Sequence, residues 1–199
     1  MKKYITFLLL VLMVPSMVFA KTTYTSKSLT EALDDEDITY DLGDYEETDD
    51  KVTVYLFRGK GCSHCYEFLE YVSSDLIKEY GNYFKLVSYE VWNDSNNAQL
   101  MQEVSDYLGD DASGVPYIVI GDKTFNGYAE SMNDEIKNAI KDLYDSEDRY
   151  DVLKQIELNP KETKKKSSSD NSVTVVFTIF AAIAIVVLIV TSTKKQKVN

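Results

Sequence analysis

The two cysteines of this 199-residue chain and its one histidine stand within four consecutive residues, Cys62-Ser63-His64-Cys65. A cysteine pair closing so short a loop removes little chain entropy from the unfolded state, so it is a poor structural staple. It suits reversible thiol-disulfide exchange, in which one thiolate attacks and its neighbour resolves the mixed disulfide. The pair follows an apolar run, Val52 to Phe57, typical of a central strand. It precedes a helical stripe of Phe68, Leu69, Val72, Leu76 and Tyr80 that Gly81 ends. Cys62 is therefore expected at a helix N-terminus, where free amides and the helix dipole favour the thiolate and can lower a cysteine pKa to about 3.5–7.5. That makes Cys62 the nucleophile and Cys65, one turn further in, the resolving thiol. His64, when protonated, adds positive charge beside the sulfur, and Arg58 and Lys60 place two more cations upstream. For Arg58 and Lys60 a solvated loop is the competing reading.

Metal chemistry is the rival use of these residues. Cys62, His64 and Cys65 offer three soft ligands, but a structural zinc site takes four and the chain holds no other Cys or His. Copper(I) needs fewer ligands and stays open. Tyr66 stands where c-type haem attachment needs a histidine, so no haem, and no other cofactor, is expected.

Positioning the motif falls to the elements around it. After the first strand and helix, Phe84 to Trp92 reads as a second strand, and Leu100, Met101, Val104, Tyr107 and Leu108 form a stripe closed by Gly109. Tyr117 to Ile120 reads as a third strand, leading through the hairpin dipeptide Gly121-Asp122 into Lys123 to Phe125. Ile136, Ala139, Ile140, Leu143 and Tyr144 repeat the helical spacing. The order β-α-β-α-β-β-α predicts an α/β sandwich whose first crossover is parallel and right-handed. Asp148 to Leu158 continues the last helix or adds a short one, stopped by Pro160.

The motif opening a helix after the first strand, with Gly114-Val115-Pro116 opening the third, resembles the thioredoxin superfamily over residues 50 to 145. The resemblance implies a thioredoxin-like fold, a cis Val115–Pro116 bond facing the cysteine pair, and substrate binding at Val115 and Pro116. The sequence departs from the family pattern at three places. Ser63 stands where many relatives have proline, Gly61 replaces a common tryptophan, and Leu56 and Phe57 occupy the strand where thioredoxins bury an acid that assists the resolving cysteine. His64 and Val115 are similar to the DsbA-type oxidases, whose large helical insertion is missing here.

Outside that window the chain is organised for export. Residues 1–20 have the parts of a signal peptide: basic Lys2 and Lys3, an apolar run from Tyr4 to Val14, and Val18-Phe19-Ala20 before the expected cleavage point. Residues 21–50 are acidic and lack sustained apolar periodicity, which predicts a flexible or loosely helical lead-in to a domain spanning 51–158. Residues 159–172 read as a polar spacer and 173–193 as one uncharged membrane span, followed by a cytoplasmic tail, 194–199, with Lys194, Lys195 and Lys197. The interval from Lys21 to Ser172 holds all 33 acidic residues and all but five of the 21 basic ones, a net charge of −17, which argues against nucleic acid as a partner. The expectation is a single-pass, membrane-tethered, extracytoplasmic thiol-disulfide oxidoreductase. Its partners would be exported cysteine-containing proteins and a membrane redox protein. A non-catalytic binding module or copper(I) chaperone is the alternative from another class.

Overall fold

Val52–Arg58 is apolar at almost every position because the strand it forms is covered on both faces. In the computed structural model, which describes residues 22–158, this strand (β2) lies at the centre of a five-stranded sheet. The neighbours are β1 (Ser26–Lys27), β3 (Phe84–Glu90), β4 (Tyr117–Ile120) and β5 (Lys123–Asn126), in the order β1-β3-β2-β4-β5. β2 and β3 run parallel, and the β1–β3, β2–β4 and β4–β5 pairs are antiparallel.

The side-chain alternation of β2 divides the core. Val54 and Leu56 face a cluster built with α1 (Leu29–Asp35), α2 (Ser63–Tyr71) and α5 (Asn133–Asp145). Tyr55 and Phe57 face a second cluster with Leu100 and Val104 of α4 (Ser95–Leu108) and Val152 of α6 (Val152–Leu158). The result is a mixed α/β arrangement with helices on both faces of the sheet. α2 runs on through a π-helical turn, Val72–Leu76, into α3 (Ile77–Tyr80) before Gly81. α4 ends at Gly109, whose φ of 75° closes the helix in the left-handed conformation that glycine adopts without strain. The tail of the domain is a separate short helix, α6, rather than an extension of α5.

Of the two forms expected for the acidic lead-in, flexible or loosely helical, the structure shows a helix, and it packs into the core instead of standing outside it. Leu29, Ala32 and Leu33 of α1 are fully buried, and Ser28 and Glu31 form a reciprocal capping box at its start. Upstream, the backbone N–H and C=O of Thr25 bond the buried side chain of Asn97 at 3.0 and 2.9 Å, which fastens this end to α4. The expected signal peptide, the spacer with Pro160, the membrane span and the tail lie outside the described residues. Among the described residues no helix is long and apolar enough to cross a membrane.

Candidate functional site

The loop from Gly59 to Gly61 carries the chain from β2 into α2. Gly61 turns it with a φ of 78°, a conformation that other residues adopt only with strain. Cys62 is the N-cap of α2, and its sulfur accepts the Cys65 N–H at 3.3 Å, satisfying one of the free amides of the first turn. Cys62 and Cys65 are joined at disulfide distance, with Cα atoms 5.2 Å apart. Cys65 is fully buried and Cys62 is 8% exposed, so the outer sulfur is the one an incoming group meets.

The Val115–Pro116 peptide is cis. It brings the Val115 carbonyl to 3.7 Å from the Cys62 sulfur, within reach of an S–H when the pair is reduced. Pro116 leads directly into β4, and its carbonyl accepts from Gly127 at 2.8 Å, which ties this turn to the far end of the β4–β5 hairpin. Of the residues singled out in the sequence, Cys62, Cys65, Val115 and Pro116 thus converge.

His64 lies on the outer side of α2, with its side chain 63% exposed, and its Nδ1 stands 3.0 Å from Glu67 Oε2. The imidazole is therefore paired with a carboxylate one turn along the helix.

Arg58 does not supply a free cation to the sulfur. It is fully buried at the end of β2. Its Nη1 donates to Glu36 Oε1 at 2.6 Å, its Nη2 to Asp35 Oδ2 at 2.5 Å, and its Nε to Ser88 Oγ at 3.0 Å. A guanidinium held away from water needs this pairing, and the acids come from α1 and its C-cap. Lys27 also reaches Asp35. Burial pushes the Asp35 carboxyl up, but the hydrogen bonds from Lys27 and Arg58 outweigh it and hold the group below its usual range.

Two carboxylates grip the loop itself. Glu36 Oε2 accepts the Gly61 N–H at 3.0 Å, and Glu90 Oε1 accepts the Lys60 N–H at 3.3 Å and the Trp92 N–H at 3.0 Å. Both amides immediately before Cys62 are thus held by acids from other elements. Neither contact was legible locally, although Ser28-Leu29-Thr30-Glu31, a capping-box pattern, marks the helix that carries Glu36 into place. Under the motif, Leu56 and Phe57 are fully buried and apolar, so this strand places no carboxylate there.

Among the described residues no group of three or more His, Cys, Asp or Glu side chains is arranged to hold a metal ion. No protein-family model, curated protein or solved structure matches the chain.

Proposed function

We propose that the protein is a thiol-disulfide oxidoreductase with a thioredoxin-like fold, attacking through Cys62 and resolving through Cys65. The observation that carries this reading is the Cys62 sulfur: it caps α2, is bonded to a fully buried Cys65, and lies 3.7 Å from the carbonyl before a cis proline. A helix N-terminus stabilises a thiolate, and a buried neighbour three residues on is placed to displace whatever Cys62 binds.

In the reducing direction, the Cys62 thiolate attacks a client disulfide. A new S–S bond forms to one client sulfur while the other leaves as a thiolate and takes up a proton. The Cys65 thiolate, having given up its proton, then attacks the Cys62 sulfur, closing Cys62–Cys65 and releasing the second client thiol. Two electrons pass to the client, and a membrane redox partner returns them. Run in reverse, the same steps oxidise a client dithiol and the partner accepts the electrons. Val115 and Pro116 form the wall against which the client chain lies. The signal peptide and span read from residues 1–20 and 173–193 support a single-pass, extracytoplasmic setting with exported cysteine-containing proteins as clients.

The test is trapping in cells. Cys65→Ser leaves an attacking thiol with nothing to resolve the adduct, so it accumulates mixed disulfides with exported proteins, whereas Cys62→Ser traps almost none. Equal trapping by both variants, or by neither, would refute the assigned roles.

A further inference from the structure

We propose that Glu36 and Arg58 act together as positioning residues for Cys62, holding the loop before the sulfur and setting the charge it meets from a segment outside the motif. This rests on the reading of Cys62 as the reactive thiol and adds the residues that tune it.

The Glu36 carboxylate, 5% exposed, is divided between two tasks. Oε1 binds the Arg58 guanidinium at 2.6 Å, and Oε2 binds the Gly61 N–H at 3.0 Å. Gly61 is the residue next to Cys62, and the Cys62 N–H in turn donates to the Gly59 carbonyl at 3.2 Å. One carboxylate therefore links the end of the central strand to the turn that aims the sulfur.

A neutral acceptor can still hold the Gly61 amide, though less strongly, so the charge on Glu36 has a separate consequence. Lys27, Asp35, Glu36 and Arg58 sum to zero, two cations against two anions. Removing one member leaves a net charge in a region where Arg58 is fully buried and water screens weakly. A surplus cation stabilises a nearby thiolate, and a surplus carboxylate destabilises it. Other ionisable groups near the loop include the Cys65 thiol, His64 and Glu67 of α2, Lys60, and Glu90 at the end of β3. They are the same in every variant below, so they cancel in the comparison.

The measurement is the rate of iodoacetamide alkylation against pH on the reduced full-length chain, read at Cys62 by fragment-ion mapping. Glu36→Gln keeps one acceptor oxygen, which can still take the Gly61 N–H while its NH2 cannot accept from Arg58, and it leaves the cluster positive, so the Cys62 pKa falls. Arg58→Met leaves it negative, so the pKa rises, each by about half a unit or more. A change of fold alone does not move the two variants in opposite directions. Shifts of the same sign, or none, overturn the proposal. If Arg58→Met does not fold, Asp35→Asn replaces it: that side chain is 21% exposed and does not bond the loop, and its loss lowers the Cys62 pKa as Glu36→Gln does. A raised or unchanged value in both then overturns the proposal. The readout needs no turnover, so a chain whose Cys62 responds in this way but exchanges no disulfides removes the oxidoreductase reading and leaves this one.

Discussion

The indole of Trp92 covers Gly59 so closely that a Cβ on Gly59 would stand 2.1 Å from Cδ2 and 2.3 Å from Cε2 of the ring. Gly59 opens the loop that ends at Cys62, and Glu90 binds the amides of both Lys60 and Trp92, so ring and loop are fastened to the same carboxylate.

Gly59→Ala is therefore expected to expel the ring rather than break the core. Trp92 is 59% exposed and has room to swing outward, so the loss in stability should be about 1 kcal/mol or less, below the usual range for overpacking in an interior. Trp92 is the one tryptophan in the chain, so its emission reports on this contact alone. We expect a red shift with a fall in melting temperature of a few degrees, on the order set by such a loss. Unchanged emission would show that the ring does not depend on the missing Cβ.

Leu33→Ala tests whether the acidic lead-in belongs to the fold. Leu33 is fully buried, and truncating such a side chain is expected to destabilise by about 2–5 kcal/mol, a large share of a typical domain's stability. A position in a flexible lead-in would respond by roughly 0.5 kcal/mol or less. Urea unfolding followed by circular dichroism separates the two, and a midpoint equal to the parent's would remove α1 from the core.

What the sequence reveals follows from how local each signal is. Leu100 and Val104 lie one helical turn apart on α4 and are buried as their spacing implies, and Gly109 and Gly121 end α4 and β4 at the positive φ that only glycine takes freely. α1 is seven residues long, too short for periodicity to rise above an acid-rich background. Its acidic run, Asp34 to Asp37, reads as solvated because nothing nearby in sequence needs it; the guanidinium that Asp35 and Glu36 neutralise is more than twenty residues away. The cysteine pair is legible from spacing alone. The carboxylates that hold its loop come from α1 and β3, and only the tertiary fold brings them there.

His64→Ser is expected to raise the Cys62 pKa in the reduced protein, but by less than the roughly one unit that an unpaired neighbouring cation supplies. Glu67 stands 3.0 Å from the imidazole, both side chains are more than half exposed, and when the imidazole is protonated the pair presents little net charge to the sulfur. Glu67→Gln removes the anion, so it should lower the Cys62 pKa and move the reduction potential in the oxidising direction. Alkylation rates against pH and a glutathione equilibrium for each variant check both signs. A full-unit rise in His64→Ser would show that Glu67 does not offset the imidazole.

The last expectation concerns acid. Asp35 titrates below its usual value of 3.8: burial raises its pKa, and the hydrogen bonds from Lys27 and Arg58 outweigh that effect. A carboxyl whose folded pKa is depressed contributes stability that is fully present above the unfolded pKa and lost as pH falls through the folded one. Asp35→Asn should therefore be less stable than the parent at neutral pH. The gap should begin to narrow below about pH 4 and close as pH falls through the depressed folded pKa, below which a protonated aspartic acid and an asparagine carry the same charge. Glu31, Asp49 and Asp50 are also held below their usual values, Glu31 by the hydrogen bond from the Ser28 backbone first, Asp49 by Lys85 and Asp50 by Thr48. The parent alone therefore loses stability in acid for several reasons. Only the difference between the two melting curves, followed from about pH 7 to about pH 3, isolates Asp35. Because its side chain is 21% exposed, solvent screening keeps the gap modest. A difference that stays constant across this range would mean that the Asp35 charge does not hold Arg58, and that the geometry of the contact does.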